Sequence, residues 1–307
     1  MNFLCIIGAL TRAILRRRAA LSGGGCLVIA LLIAMPVAHA QQGEDLREAA
    51  QNPIGDLISV PFQNNTNFNI GHSDNTQNVL NIQPVYPLHL DKSWNLITRP
   101  ILPVIYQPPF FSGRELQALE ETVGPDIGDT EFGLGDLTPE FFFSPRKPIK
   151  LGSEASLVWG VGPAFQLPTA TDKVLGTGKW SSGPGFVVFL SDRPLHITTG
   201  FLILNLWSFA GDADRANVNE MTLQPFINYN MPHGWYLTSS PLITANWEAN
   251  QDNRWTVPIG GGIGRIFKIG DQSVNANIAA YYNAVRPDDT GADWQLRAEW
   301  TFLFPTK

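Results

Sequence analysis

The chain has 307 residues, of which 44% are hydrophobic and 16% are charged, with a formal net charge of −6. This acidic balance argues against nucleic acid as a partner. The mean hydropathy is −0.03, and no apolar run after residue 40 approaches the length of a spanning helix, which excludes a helical membrane protein. A transmembrane β-barrel is not excluded, because the alternation of its strands dilutes the hydropathy signal.

Residues 1–40 have the pattern of a cleaved export signal, with a basic start, a short apolar run at Cys26–Val37 and an A-x-A site at Ala38–Ala40. The run is shorter than the ~20 residues of a spanning helix, so we predict cleavage after Ala40 rather than an uncleaved anchor. The mature chain would keep 307 − 40 = 267 residues and lose both cysteines, Cys5 and Cys26. No disulfide or cysteine metal site would then remain. The basic residues of the start are Arg12, Arg16, Arg17 and Arg18.

The rest of the chain begins with a short helical pattern at Asp45–Gln51, ended by Pro53, and then predicts only strands. Most of these reach the ~9–11 residues that a tilted membrane strand needs. The twelve predicted spans are 56–70, 77–88, 93–106, 129–143, 153–167, 182–190, 195–209, 219–230, 234–247, 254–268, 272–285 and 293–304. Short turns alternate with longer, polar loops, as in outer-membrane barrels, where the short turns are periplasmic.

The last predicted strand, Trp294–Phe304, alternates most clearly. Its even-numbered residues, from Leu296 onward, are apolar, whereas Arg297 and Glu299 lie on the other face. Enclosed charges need water or each other, so the charged face should line a wet interior and the apolar face should meet lipid. A soluble barrel would instead place its bulky apolar face inside. The sequence therefore predicts an all-β fold, a transmembrane antiparallel up-and-down β-barrel of about twelve strands.

Two stretches of the chain repeat one pattern, and each spans a strand, a short turn and a second strand. This indicates a duplicated hairpin. Tryptophans close to the predicted strand ends further suggest an aromatic girdle at the membrane interfaces. The two copies, with the same offsets, are Gln83-Pro84 with Trp94, Leu96 and Pro100, and Gln224-Pro225 with Trp235, Leu237 and Pro241.

Prolines recur inside the predicted strands, which is the feature that fits a membrane barrel least well. Proline removes a ladder donor, and an unpaired carbonyl in lipid costs several kcal/mol. We expect these prolines at bulges or near rims, with lumen water pairing the freed groups. A soluble periplasmic β-sandwich or lipocalin-like binding protein would tolerate them more easily and is one alternative. The prolines are Pro84, Pro100, Pro139, Pro163, Pro184, Pro225, Pro241 and Pro258.

The segment Asn52–Asn65 resembles the start of bacterial outer-membrane proteins of the MetA-pathway of phenol degradation family, whose members are often labelled transporters. The resemblance covers residues 45–304. It implies an outer-membrane location in a Gram-negative cell and the passage of hydrophobic or aromatic compounds, and it supplies no catalytic residues. The further matching stretches are Trp94–Pro100, Gly135–Leu137, Phe141–Pro145, Gly162–Ala164, Pro168–Thr171, Gly176–Trp180 and Gly183-Pro184.

No stretch has the spacing of a catalytic or metal site. Gly176–Lys179 lacks the first glycine and the Ser/Thr of a phosphate-binding loop, and the histidines are not at metal-ligand spacing. We therefore expect no enzyme activity and no cofactor. The alternative is a barrel enzyme acting on lipids, in which His72 would activate Ser73.

Polar residues on the predicted inward faces are the candidates for lining a pore, since rings of charge set ion preference. An internal salt-bridge network that plugs the lumen is an equal alternative. The loop Tyr106–Gly128 could either fold inward as a constriction or lie outside the barrel. The pore-lining candidates are Arg99, Glu131, Glu140, Glu154, Gln166, Gln224, Arg265, Arg297 and Glu299.

The predicted organisation is a signal peptide at 1–40, a short periplasmic segment at 41–55 and an outer-membrane barrel at 56–307. The predicted function is a channel or transporter for small, aromatic or hydrophobic solutes. The expected partners are outer-membrane lipid, the solute and the barrel-assembly machinery, which would recognise the strand Trp294–Phe304.

Overall fold

The computed structural model describes residues 41–71, 74–110, 129–288 and 290–304. The predicted signal segment, the His72-Ser73 pair and residues 111–128 of the predicted constriction loop lie outside these ranges. Within them, no helix is both long and apolar enough to cross a bilayer. The elements are α1 Gln41–Gln51, β1 Ile58–Ile70, β2 Asn75–Ile82, β3 Tyr86–His89, β4 Trp94–Gln107, β5 Glu131–Leu134, β6 Thr138–Pro145, β7 Ile149–Leu151, β8 Ala155–Gln166, β9 Lys179–Asp192, β10 Ile197–Gly211, β11 Asn219–Asn230, β12 Trp235–Ser239, β13 Ile243–Asn246, β14 Trp255–Ile269, β15 Gln272–Val285 and β16 Trp294–Phe304.

The strands form one closed antiparallel barrel. Each pairs with its neighbours in chain order, and β1 pairs with β16, which closes the ring. Because β2–β3, β5–β7 and β12–β13 are each one interrupted strand, the wall contains 12 barrel strands. Every predicted span falls on one of them, although the fourth extends further than predicted, to Leu151. The closed wall rules out the β-sandwich alternative.

The two ends of the barrel differ. One end, here the short-turn rim, carries the connections 90–93, 152–154, 193–196, 231–234 and 270–271. The other, the long-loop rim, carries the connections 167–178, 212–218 and 247–254, and the described strand ends on either side of residues 72–73, 111–128 and 289 also lie there. The first residue of β1 and the last residue of β16 both lie at the short-turn rim, as an even number of strands requires.

The outer surface of the barrel is apolar, as the alternation predicts. Phe132, Phe209 and Ile259 are 74%, 66% and 64% exposed on it. Tryptophans stand on this face near both rims: Trp94 at the short-turn rim, and Trp247, which meets Trp255 edge-on at 5.4 Å between ring centroids, at the long-loop rim. This arrangement suits a wall that faces lipid with aromatic interfaces.

The interior departs from the wet lumen that the sequence predicts, because about half of its wall is apolar. Inward side chains of β4, β6, β8, β9 and β10 form a buried hydrophobic cluster, whereas those of β1, β15 and β16 are mainly amides, hydroxyls and charges. The lumen is therefore amphipathic across its width. The buried residues of the cluster are Ile54, Ile97, Phe142, Ala164, Val187, Leu202, Leu204 and Leu206.

The N-terminal segment 41–57 lies inside the barrel at the short-turn rim. One face of α1, with Leu46, Ala49 and Ala50, packs on an inner apolar cluster of β12, β14 and β16. Beyond the helix, Ile54 is 3% exposed and belongs to the cluster on the opposite wall. A methyl group added at Gly160 would lie 3.4 Å from the Ile54 side chain. The segment thus packs against both sides of the interior.

Polar contacts also hold this segment at the rim. The Arg47 guanidinium donates to the Met231 carbonyl at 2.8 Å, and Glu48 pairs with Arg193 at 3.2 Å. The Gln51 side chain donates to Asn230 at 2.9 Å and accepts from the Thr198 hydroxyl at 2.8 Å. The segment predicted as a short periplasmic extension is therefore a plug anchored in the short-turn mouth.

The in-strand prolines lie where the ladder is interrupted, in the middle of the wall rather than at its rims. In the continuous register, Pro225 stands opposite Pro241, and the β12–β13 strand is unpaired there. Pro163 and Pro184 also face each other, and the ladders beyond them lack pairs at those positions. Pro258 lies at a register shift between β14 and β15. Neither of two facing prolines has an N–H group to donate to the other. The missing donors therefore fall at positions where the strand ladder has no bond.

The adjacent residues Phe142 and Phe143 test whether the interior is packed. Phe142 is 2% exposed inside the barrel and Phe143 is 42% exposed outside. We expect Phe142→Ala to lower the free energy of unfolding by about 3–5 kcal/mol, the range for a buried phenylalanine. Phe143→Ala should cost much less, because lipid or detergent fills its place. Urea unfolding in detergent would measure both, and equal effects would contradict a packed interior.

Candidate functional site

A cavity of about 180 Å³ lies in the middle of the lumen, above the N-terminal plug. Its floor is formed by residues of the plug, and its walls come mainly from the polar side of the barrel, with Leu202 and Phe226 contributing apolar surface. The lining residues that matter here are Gln51, Gln63, Gln83, Arg99, Gln224, Ser240, Asn275, Asn277, Tyr281, Arg297, Glu299 and Thr301.

Arg297 braces the interrupted strand between β12 and β13. Its guanidinium donates to the Ser240 carbonyl at 2.7 Å and to the Asn65 side chain at 3.0 Å, and lies 5.0 Å from the centre of the Tyr281 ring. The Tyr281 hydroxyl in turn accepts from the Ser240 amide at 3.1 Å. Both backbone groups of Ser240 are thus bonded by lumen side chains in place of a neighbouring strand. Arg297, predicted as a pore-lining charge, is therefore inside the lumen and also supports the wall.

Arg99 has a comparable role at the interrupted strand β2–β3. It pairs with Glu140 at 3.3 Å and donates to the Gln83 side chain at 2.6 Å, where β2 ends. Glu140 is 3% exposed, so this ion pair is enclosed on the carboxylate side. Removing one partner would leave a buried charge uncompensated. The two predicted pore residues Arg99 and Glu140 consequently form a structural pair at the edge of the cavity.

Of the charged groups that line the cavity, Glu299 forms the fewest polar contacts. Its carboxylate accepts from the Thr301 hydroxyl at 3.0 Å, and it forms no ion pair with another described residue. Asn277 and Gln63 flank it on the neighbouring strands in register. A solute in the cavity would therefore meet the Glu299 carboxylate beside neutral amides, together with the guanidinium groups of Arg99 and Arg297.

The duplicated hairpin places its two copies on opposite sides of the cavity. The first copy occupies the second and third barrel strands and the second copy the eighth and ninth, half a turn apart in a ring of 12. Gln83 contacts Arg99, and at the equivalent positions Gln224 donates to the Ser240 hydroxyl at 2.9 Å. The repeat seen in the sequence thus corresponds to two matched glutamines that both line the cavity.

At the long-loop rim, the connection 167–178 folds over the mouth. Asp136 holds it: its carboxylate accepts from the Thr177 amide at 2.7 Å and from the Ala170 amide at 3.1 Å. Arg215 donates to the Thr177 carbonyl at 3.2 Å. Leu175 is 6% exposed beside the inward face of β5. This connection narrows the mouth; residues 111–128 of the loop Tyr106–Gly128, for which the sequence leaves an inward or an outward position open, lie outside the described residues.

The remaining predicted pore residues are not all in the lumen. Glu131 shares the register and inward face of Gln107 near the long-loop rim, and Gln166 lies beside Asp136. Glu154 is exposed in a turn at the short-turn rim and does not line the lumen. The prediction of a pore-lining position is most clearly wrong for Arg265.

Arg265 lies on the outer face of β14. Its register partner is Trp235, and its guanidinium lies over that ring at 5.1 Å from the ring centre. The following residue on β12, Tyr236, points inward instead and donates to Asn275 at 2.6 Å. The glycine-rich stretch before Arg265 allows either face to be read as polar, which is why alternation alone misplaces it. A guanidinium over a tryptophan suits a membrane interface.

Several residues of the cavity escape sequence reasoning. Tyr281 falls on the predicted polar face of β15 with Asn275 and Asn277, so the alternation carried a signal for it. No sequence signal marks Ser240 or Ile54, because the roles of these residues depend on contacts across the barrel. Among the described residues, no group of three or more His, Cys, Asp or Glu is placed to hold a metal ion.

Comparisons with known proteins support the fold. No family model matches the chain, and no curated protein matches it. The COG4313 outer membrane channel from Pseudomonas putida F1 is similar in structure, with a TM-score of 0.60 at 15% identity, covering 82% of this chain and 97% of that one. The NanC porin gives 0.45 at 8% identity, covering 81% and 100%. The outer membrane phospholipase A from Escherichia coli gives 0.42 at 11%, covering 87% and 99%.

Substitution of Arg297 should reveal its role in the wall. Arg297→Ala leaves the Ser240 carbonyl without its donor, so we expect a loss of about 1–3 kcal/mol in the free energy of unfolding. Glu299→Gln is the matched control on the same strand and face, and it should have little effect. Urea unfolding followed by tryptophan fluorescence would measure both. Equal stability of the Arg297→Ala variant and the unsubstituted chain would show that the brace is dispensable.

Proposed function

We propose that the protein is an outer-membrane barrel that conducts small solutes through its lumen. The observation that carries this proposal is the closed barrel with an apolar exterior, aromatic rims and a lined central cavity of about 180 Å³. A soluble barrel of this size would expose that apolar surface to water, which is unfavourable. The outer-membrane location accords with the fold shared with a channel of Pseudomonas putida F1.

The proposed solutes are small molecules with both apolar and polar parts. One side of the lumen offers aliphatic and aromatic surface, and the other offers amides, hydroxyls and Glu299. A molecule with one apolar face can lie along the first side while its polar group replaces water on the second. The resemblance to the phenol degradation family points to the same class, aromatic or hydrophobic compounds. The plug at the short-turn rim would keep ion flow low until it moves.

The remaining parts of the proposal concern export and assembly. We propose that the chain is exported by a signal peptide cleaved after Ala40, and that the barrel-assembly machinery recognises the strand Trp294–Phe304. We also propose that the protein is not an enzyme. The pair His72-Ser73, on which the lipid-hydrolase alternative rests, lies outside the described residues.

Removal of the plug tests the conducting role. In a variant lacking residues 43–54, the anchors at Met231 and Asn230 and the contact of Ile54 are lost, so the short-turn mouth opens. We expect a severalfold rise in single-channel conductance in planar bilayers compared with the full barrel. Heat-modifiable gel migration of both proteins would verify that each barrel is folded. Absence of conductance from folded protein in both forms would refute a conducting lumen.

Glu299 should set the ion preference of the pore. Glu299→Gln removes a lumen carboxylate that forms no ion pair with a described residue, so we expect the K⁺ over Cl⁻ permeability ratio, from reversal potentials in a salt gradient, to fall severalfold. Glu154→Gln removes a charge exposed in a rim turn and serves as the control. If the two substitutions change the ratio equally, Glu299 does not line the conducting path.

A further inference from the structure

The internal repeat extends to the outer face of the wall. Its two glutamines, Gln83 and Gln224, are 141 residues apart (224 − 83 = 141). The same offset relates two asparagines of β1 and β2 to two asparagines of β10 and β11, and the two hairpins pair in the same register. These two pairs of asparagines, here the outer amide pairs, therefore lie on opposite sides of the barrel. The first pair is Asn64 with Asn78, and the second is Asn205 with Asn219.

The outer amide pairs point away from the lumen. Asn205 lies between Leu204 and Leu206 of the buried interior cluster. Asn64 follows Gln63, which lines the cavity. Because side chains alternate along a strand, both asparagines are on the outer face, and the register places their partners on the neighbouring strands on that face too. All four are half-buried in a surface that is otherwise mainly apolar.

Each pair is joined by a hydrogen bond between side chains, and N–H groups remain. Asn64 donates to Asn78 at 2.8 Å, and Asn205 donates to Asn219 at 3.1 Å. The Trp247 indole donates to the Asn205 oxygen at 2.9 Å. Among described residues, Asn64 and Asn205 each keep one N–H without an acceptor, and the Asn219 amide nitrogen donates to none. Because such donors are costly next to hydrocarbon, they favour an acceptor from outside the chain.

Exposed aromatic rings stand beside both pairs. Tyr106 lies opposite Asn78 in register, and Trp247, its equivalent by the same offset, contacts the second pair together with Trp207. Such rings sit where acyl chains join headgroups, which is where the carbonyl acceptors of lipids are found. The rings protrude further than the half-buried amides, so they hold the flat wall of another barrel away. A single acyl chain can lie between them.

We propose that the outer amide pairs are two matched binding sites for lipopolysaccharide, recognised at the amide and ester groups that join its acyl chains to the sugar. The inference rests on the proposed outer-membrane location, in which the long-loop rim faces the outer leaflet, and it adds a lipid partner. One lipopolysaccharide molecule presents several such carbonyl groups and hydroxyls close together. It can therefore accept more than one N–H from a pair, whereas a glycerophospholipid offers two ester carbonyls.

Leucine substitutions test the sites. Asn64→Leu with Asn78→Leu removes the first site, and Asn205→Leu with Asn219→Leu removes the second. Because both partners of each bond are replaced by apolar groups of similar size, the effect on stability should be small. Heat-modifiable gel migration would verify that each variant is folded, and if one double variant does not fold, the other still tests its own site.

Two further variants separate amide recognition from a general change of the surface. Asn205→Gln with Asn219→Gln keeps the amides and should keep the lipid. Thr199→Val is the matched control on the same strand and face, because its hydroxyl already donates to the Phe226 carbonyl at 2.9 Å. It should leave lipid binding unchanged.

Native mass spectrometry would count the lipids bound to the full chain in detergent. Deep-rough lipopolysaccharide would be added to one sample and phosphatidylethanolamine, at the same molar ratio, to another. We expect two lipopolysaccharide molecules on the unsubstituted chain, one on each leucine double variant and none on the combined variant. Occupancy by phosphatidylethanolamine should be severalfold lower.

The outcomes decide between a lipid site and its alternatives. Lipopolysaccharide that stays on the combined variant, or phosphatidylethanolamine that binds the unsubstituted chain equally well, would overturn the proposal. A two-chain species that the leucine variants abolish would show that the pairs are contacts between copies, which also overturns it. The experiment has no transport step, so a failed lipid count leaves the conducting role intact. A chain that binds both lipids but does not conduct supports the sites and refutes only the conducting role.

Discussion

Every backbone N–H and C=O in a barrel wall that faces an apolar exterior needs a partner within the protein, because lipid supplies none. Several prolines of this wall break that rule at its middle as facing pairs, among them Pro163 with Pro184 and Pro225 with Pro241, so their missing donors fall on gaps in the ladder. Interior side chains then take over the bonding. Arg297 and Tyr281 hold both backbone groups of Ser240, and Arg99 binds the side chain at the end of β2.

The same requirement explains why most of the charged residues that were predicted to line a pore instead form bonds within the protein. Arg99 is paired with Glu140, and Arg297 has three hydrogen-bonding partners besides the Tyr281 ring. Glu299 is the carboxylate that faces the cavity without forming an ion pair with a described residue. Of the two alternatives for the inward charges, an internal network is therefore realised at Arg99, Glu140 and Arg297, and Glu299 is the residue for which we propose a role in the pore.

The amphipathic lumen follows from the N-terminal segment. A barrel interior filled only with water favours polar walls, but α1 and Ile54 carry apolar surface into the short-turn mouth and must bury it. The clusters around Ile54 and around Tyr236 provide that surface on opposite walls. The apolar inward residues of β4, β6 and β8–β10 extend this surface towards the cavity, where Leu202 forms part of the lining.

The sequence by itself determined the barrel class, the strand positions and which residues alternate, because these follow from a period of two along each strand and from local turns. It also located the duplicated hairpin and the prolines. Only the tertiary structure decided that Arg265 lies outside over Trp235, that Glu154 is in a rim turn, and that the segment before β1 enters the lumen. These outcomes depend on ring closure, which brings together residues such as Asn65, Ser240 and Arg297 from distant strands, and no local pattern encodes which of them will meet.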